Sequence, residues 1–576
     1  MTQPFTPHLS KLICSLLIVV ACCLSCSGGA DGPTADELGV TRLDSDLCRR
    51  EVGTMIATPS ASFTPWYGRS AWALEAPQIL GDLRPALVCD LPGMFSYPIT
   101  EDGQGRRLTT AVRRTRPGQQ ESVNAEVFWR VDEQLTSLAV VELINGDENW
   151  HELQVDLPAG EGELLFMHRF NTPGLAEQKG EPIAWSQPTL APINKPDLPD
   201  VILLTIDTLR SDAVQHAPYL QSLMNSGRRW QQAYSPSNWT LPAYASLLTG
   251  LAPEEHGCGR GPFAEEPTGR VENRDFRTLG NAPTITEAMQ DAGFATAMYF
   301  QNPLLESWTG FDRGFDSYVR TADRAKANSE PALNWWQQNS HRARFLTLHY
   351  MAPHLPYLPP TNAQADLPIN PLDALNHEQL FELDHSPAER REHFDIPQLD
   401  REAVRRWYQA DIAAMDAELK TLVTELRATA PNCMILIHVD HGEELWDAGS
   451  FEHGHSFDDS VIKVPLAIIH DGFIKPEIIN TPVAAHHLGT LMLEQLQIPN
   501  TLPTSALGES NKADRRIRSA YPLFRCNIGG RELQADGSWL ELPFDFQGSQ
   551  GDPGVIDAET AARMAELGYS GELPND

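Results

Sequence analysis

Between Asp200 and Asp207 the chain reads Asp-Val-Ile-Leu-Leu-Thr-Ile-Asp, an apolar run with no alternation. A strand with one wet face alternates apolar and polar residues, whereas a strand covered on both faces does not, and strands of that kind belong to parallel sheets with helices on either side. Four more runs of the same character follow: Ala295 to Phe300, Phe345 to Met351, Met434 to Val439 and Val464 to His470. Between the runs that begin at Phe345 and Met434, residues Arg401 to Thr429 carry apolar side chains at Val404, Tyr408, Ile412, Met415, Leu419, Leu422 and Leu426, the stripe of a long amphipathic helix. Strands alternating with helices give an α/β domain with a doubly wound, mostly parallel sheet.

Upstream of Pro196 the style is different. Residues 45–195 read as short strands broken by Pro and Gly, among them Ala125 to Val131, Leu138 to Ile144 and Leu164 to Phe170, with alternation plain in Glu152-Leu153-Gln154-Val155-Asp156-Leu157. This predicts a β-sandwich domain, similar to the jelly-roll modules that precede catalytic domains in exported hydrolases. The first 26 residues have the layout of a signal peptide: Lys11, an apolar run from Leu12 to Leu24, then small residues. Val19-Val20-Ala21-Cys22 and Cys23-Leu24-Ser25-Cys26 both resemble the bacterial lipobox, so a lipid anchor on Cys22 or Cys26 and a cell-envelope location are expected, with plain secretion as the alternative. Residues 27–44 then form a linker. In an exported chain Cys48 and Cys89 are the expected disulfide pair, and Cys433, at the head of an apolar strand, is expected to be a buried thiol. A formal net charge of −33 with no basic run argues against nucleic acid as a partner.

In an open α/β sheet ligands bind beyond the carboxyl ends of the strands. Asp207 ends one strand, and Asp440-His441-Gly442 ends another, so two carboxylates and an imidazole project toward one rim. Oxygen and nitrogen donors in that mix suit a divalent cation, although a strand-ending Asp is by itself an ordinary turn former. A third stretch is Thr240-Leu241-Pro242-Ala243-Tyr244-Ala245-Ser246-Leu247-Leu248-Thr249-Gly250. It reads as a helix capped by Thr240 and stopped by Gly250. A hydroxyl at such an N-terminus is either a plain cap or a nucleophile facing an anionic ester.

These stretches, in this order and followed by His453-Gly454-His455 and Lys463-Val464-Pro465-Leu466, resemble the sulfatase family of the alkaline phosphatase superfamily. The likeness extends to Gly310-Phe311-Asp312-Arg313-Gly314-Phe315-Asp316, to Met351-Ala352-Pro353-His354 and to Leu567-Gly568-Tyr569, and covers residues 199–570. It implies an alkaline phosphatase-like fold, with Asp207, Asp440, His441 and Thr240 around a divalent metal cation (Ca, Mg, Mn or Zn). It also implies His354 as a substrate-binding residue, and His453 and His455 as substrate-binding or proton-donating residues. Tyr244, which stands where the family has an arginine, is taken as a further substrate-binding residue.

The departures from the family pattern carry as much chemistry as the matches. Sulfatases oxidise a Cys or Ser at the Thr240 position to formylglycine; the methyl on the threonine Cβ would leave only a ketone. Thr240 therefore resembles the unmodified nucleophile of the phosphodiesterase and phosphoglycerol-transferase relatives. Ala352 and Pro353 replace an Asp found in two-metal relatives, and Thr208 replaces a second Asp, which favours one cation over two. The expectation is an exported, metal-dependent hydrolase or transferase acting through Thr240 on a phosphate or sulfate ester of a small molecule or glycan. Its rivals are a sulfatase that works without formylglycine and a non-catalytic glycan- or surface-binding lipoprotein that retains the scaffold.

Overall fold

The computed structural model describes residues 40–43, 64–68, 79–100, 105–115, 121–147, 149–172, 180–260, 276–322, 328–375, 400–447, 451–454, 456–503, 518–520, 530–533 and 538–542, with residues 38 and 449 besides. The expected signal peptide and lipobox, Cys48 with its expected bond to Cys89, His455 and Leu567-Gly568-Tyr569 lie outside the described residues. Among the described residues no helix is long and apolar enough to cross a membrane.

The strands that organise the molecule are β1 (Ile79–Leu91), β2 (Gly180–Ser186), β3 (Val201–Ile206), β4 (Arg228–Tyr234), β5 (Ala295–Phe300), β6 (Ser317–Thr321), β7 (Arg344–Tyr350), β8 (Met434–Val439) and β9 (Lys463–Ile469). They lie in the spatial order β2-β1-β6-β5-β7-β3-β8-β9-β4 within one 16-stranded sheet. The five strands from β6 to β8 run parallel, each bonded to its neighbours in unbroken register, for example Leu203 opposite Thr347 on one side and Leu436 on the other. Every residue of β3, β5, β7 and β8 is buried, as their non-alternating sequences require. The long helix α2 spans Arg401–Thr429, and the whole apolar stripe read from its sequence is buried.

The sheet is mixed rather than mostly parallel, and the upstream strands are not set apart from it. This corrects the expected arrangement of a sandwich standing before a separate α/β sheet. The cause is β1, a strand of 13 residues, long enough to belong to both regions. Its first half pairs antiparallel with β6, Leu83 opposite Tyr318, and its second half pairs antiparallel with β2, Leu87 opposite Trp185. A second, four-stranded antiparallel sheet (Gly93–Ile99, Gly162–Phe170, Val123–Val131, Gln134–Leu143) shares an apolar core with the N-terminal strands. At its centre Phe95 stacks on Phe166 at 4.7 Å between ring centroids, and Trp185 meets Phe166 edge-on at 5.0 Å.

Side chains lock the two regions further. Arg42 spans Asp316 with two bonds of 3.2 Å and donates to the carbonyls of Gln290 at 2.7 Å and Phe294 at 2.9 Å. Within the α/β region, Asp200, just before β3, accepts from Arg344 Nη2 at 2.6 Å, and the same guanidinium lies 3.9 Å over the Trp336 ring. Both partners of this ion pair are almost fully buried, and Lys195 Nζ joins them on Asp200 Oδ2.

Candidate active site

The parallel strands deliver their functional residues to one rim. Asp207 continues β3 by one more rung, its amide donating to Tyr350 O at 2.9 Å, and the chain then turns sharply. Thr208 makes that turn at φ +53°, a left-handed conformation that a β-branched residue adopts only under constraint. The constraint comes from α2: the Tyr408 hydroxyl donates to Thr208 O at 2.8 Å and accepts from Arg210 N at 3.1 Å. Asp440 and His441 follow β8 directly, and the His441 amide donates to Asp440 Oδ1 at 2.8 Å. Gly442 follows because nothing larger fits: a Cβ there would stand 2.1 Å from Ser460 O.

Thr240 enters from the helix α1 (Thr240–Thr249), and here the structure corrects one expectation. Trp239 is the N-cap, Thr240 is the first helical residue, and no side chain caps the helix. The Thr240 hydroxyl is engaged elsewhere, 3.3 Å from His441 Nε2 and 3.4 Å from Asn302 Nδ2. It also lies close enough to Asp207 and Asp440 to favour the charged form of each. Gly250 ends the helix at φ +69°, as expected; a Cβ there would meet Thr490 Cγ2 at 2.6 Å.

Asp207, Asp440 and His441 are fully buried or nearly so and offer ligand atoms that all lie within 4.8 Å of one another. His441 Nε2 stands 3.6 Å from Asp207 Oδ1 and 3.4 Å from Asp440 Oδ2. Asp207 Oδ1 and Asp440 Oδ2 have no hydrogen-bond partner. Burial, reinforced by the neighbouring Asp440 charge, raises the Asp207 carboxyl well above the ordinary carboxylate range, and burial likewise raises Asp440. Two buried acids with bare oxygens turned toward one imidazole are costly alone, and a divalent cation among them would offset that cost. The donor set fits such a cation.

Two more of the expected histidines lie beside the cluster among the described residues. The His453 ring lies 4.3 Å from that of His441, and the His354 ring meets His453 edge-on at 5.0 Å. His453 Nδ1 is 3.0 Å from Glu443 Oε1, and the loop that carries it is tied to the start of α1 by Gly454 N to Asn238 O at 2.9 Å. His354 Nδ1 sits 2.5 Å from Leu355 O, and burial pushes its imidazole down to about 3, so the ring is neutral at ordinary pH. The structure thus brings Thr240, Asp207, Asp440, His441, His354 and His453 together. Tyr244 is a different case. Its hydroxyl donates to Met298 Sδ at 3.4 Å, and its ring packs 5.5 Å from Phe311, fully buried beneath the helix. The expected substrate contact at Tyr244 gives way to a core role, because one turn of helix past Thr240 this position faces the sheet.

Two residues escaped the sequence reading. Asn302 Nδ2 donates to Asp207 Oδ2 at 2.7 Å, while its own Oδ1 accepts from Leu304 N at 2.9 Å. His349, inside β7, places Nε2 3.7 Å from Asp207 Oδ2, and burial pushes its ring down to about 3. Asn302 was discoverable: it lies two residues beyond the run Ala295 to Phe300, and the strand-end rule that singles out Asp207 applies equally there. His349 gave no signal, since a lone histidine in a buried strand reads as packing.

The choline-sulfatase of Rhizobium meliloti (strain 1021) is 22% identical over 356 residues, which cover 50% of this chain and 65% of that enzyme's length. Among solved structures, the phosphonate monoester hydrolase of Silicibacter pomeroyi is 18% identical, with 64% of this chain and 93% of that one covered at a TM-score of 0.43. A 2-O GAG sulfatase is 14% identical, with 60% and 85% covered at a TM-score of 0.45. The model of the Sulfatase family matches residues 199–498, more than half of the chain and the whole span from the first parallel strand through the helix Leu488–Leu496. The strand-end carboxylates and the helix that presents Thr240 lie inside that span, and the chain belongs to the Sulfatase family.

Proposed function

We propose that the chain is a metal-dependent hydrolase or transferase that cleaves a phosphate or sulfate ester of a small molecule or glycan through unmodified Thr240. The observation that carries this reading is the position of the Thr240 hydroxyl, 3.3 Å from His441 Nε2 at the buried meeting point of Asp207, Asp440 and α1. Asp207, Asp440 and His441 would hold one divalent cation. Bound there, the cation supplies Lewis acidity, lowering the pKa of a nearby hydroxyl and polarising an ester oxygen. Once its hydroxyl proton has passed to solvent, the Thr240 alkoxide Oγ1 attacks phosphorus or sulfur in line, forming the Thr–O–P or Thr–O–S bond as the bond to the leaving oxygen breaks. The free N–H groups at the start of α1 face the developing charge. His453 or His455 delivers a proton to the leaving oxygen, and His354 contacts the ester oxygens. Water, or an acceptor alcohol in a transferase, then releases the group from Thr240.

The N-terminal layout supports export and an acylated Cys22 or Cys26 as membrane anchor, with the antiparallel strands upstream of residue 196 as an accessory unit. The test is turnover by the purified, metal-loaded protein against aryl phosphate, phosphodiester, phosphonate and sulfate esters. Thr240→Ala is expected to lower kcat by about a thousandfold or more while the protein still binds one cation. Retention of full turnover by Thr240→Ala sinks the nucleophile assignment, and wild-type inactivity on every ester, with no metal bound, favours a non-catalytic scaffold.

A further inference from the structure

Glu443 is a carboxylate with no part in the reading above, yet it is fully buried beside the reacting residues. It follows the Asp440-His441-Gly442 turn, and its backbone is held on both sides. Its amide donates to Ser460 O at 3.1 Å, and its carbonyl accepts from Arg210 Nη1 at 3.1 Å. Arg210 is in turn bound to Asp212 at 2.7 and 2.9 Å and to Asp447, so the Glu443 main chain has little freedom. From this fixed base Glu443 Oε1 reaches His453 Nδ1 at 3.0 Å. The histidine ring is wedged between His441, centroid to centroid at 4.3 Å, and the edge of His354 at 5.0 Å. Packing of this kind limits where the ring lies. It does not decide the ring's flip about χ2, because the two flips differ in polarity much more than in shape.

We propose that Glu443 is the positioning residue for His453. The hydrogen bond between Glu443 Oε1 and His453 Nδ1 at 3.0 Å ties one nitrogen of the ring to a fixed point of the main chain and so fixes the ring flip, with Nε2 on the opposite side of the ring. This inference rests on the proposed ester cleavage for its kinetic consequence, but the orientation itself is a structural claim that stands without activity.

The experiment therefore has two arms, both on the full-length metal-loaded protein. Crystal structures of the wild type, Glu443→Ala and Glu443→Gln read the His453 ring. Glu443→Ala is expected to let it rotate away from the His441 face or adopt two orientations, and Glu443→Gln, whose amide can still hydrogen-bond to Nδ1, to keep it in place. The kinetic arm compares an ester with a good leaving group, 4-nitrophenolate, against the matching alkyl ester. Loss of a correctly aimed proton donor is expected to lower kcat for the alkyl ester by about 10- to 100-fold in Glu443→Ala and much less for the nitrophenyl ester, with KM little changed. Glu443→Gln is expected to recover at least about tenfold of that loss. The double variant Glu443→Ala/His453→Ala is expected to be no slower than His453→Ala alone, since a positioning residue has nothing left to position. An unchanged His453 ring in Glu443→Ala, or equal losses on both esters, overturns the proposal. Wild-type inactivity on every ester defeats the reading of function and leaves the crystallographic arm to decide the role of Glu443.

Discussion

Asn302 shows how much of this site is held by bonds that carry no charge. Its Nδ2 reaches Asp207 Oδ2 at 2.7 Å and Thr240 Oγ1 at 3.4 Å, so one amide orients both a carboxylate of the cluster and the hydroxyl expected to react. Its other end is engaged by Leu304 N, which fixes the amide's rotation and makes the donor face Asp207. Groups behind a metal ligand are worth about 10- to 100-fold in affinity. Asn302→Ala is accordingly expected to weaken cation binding by about that factor, read by competition with a chelating dye, while Asn302→Asp, which turns a donor into a third carboxylate, lowers turnover through repulsion at Asp207. Cation affinity unchanged in Asn302→Ala would remove the residue from the site. Asn302 is also where sequence reasoning stopped short. Its two-residue distance from a buried strand was visible, but an amide has no chemistry of its own to attract notice, and its value comes from the oxygen it meets.

At the scale of elements, the site hangs on α2. Tyr408 secures the strained turn at Thr208, and Asp411, one turn further along the same face, accepts from Leu358 N at 3.3 Å and so steadies the loop that carries His354. Asp411 is buried, and that burial pushes its carboxyl up to about 7 from the ordinary value of 3.8. The folded protein therefore keeps a proton that the unfolded chain has already released. The stabilisation linked to that proton is complete below about pH 4 and is lost as pH rises through about 7. Asp411→Asn removes the titration and keeps an acceptor for Leu358 N. It is expected to raise the Tm at pH 8, a gain on the order of 4 kcal/mol, and to change it little at pH 4. Equal Tm shifts at the two pH values would dismiss the buried acid as the source. The apolar spacing of Arg401 to Thr429 was sufficient to draw α2 with its ends correct, yet Asp411 and Tyr408 gained their roles only from the loops packed against them.

For the whole molecule the decisive feature is β1, which turns an upstream antiparallel region and a parallel α/β region into one sheet. A chain beginning near residue 195 would lose β1 and Arg42, leaving β6, all of whose residues are now buried, as a bare edge. Unprotected edges of that kind recruit other chains. The truncated chain is expected to be insoluble or aggregated by size-exclusion chromatography, whereas a free-standing catalytic domain would elute as a stable monomer and bind its cation as the full chain does. What the sequence by itself determined is local: the buried parallel strands follow from unbroken apolar runs, α2 from its 3.6-residue stripe, and the carboxylates at the rim from their place after strands. Only the tertiary structure decided that Trp239 rather than Thr240 caps α1, that Tyr244 turns into the core, and that Asn302, His349 and Glu443 join the site. The physical reason is the same in each case. A hydroxyl, amide or carboxylate takes its function from the partner it meets, and these partners come from strands and loops far apart in the chain, brought within hydrogen-bonding range only when the sheet closes.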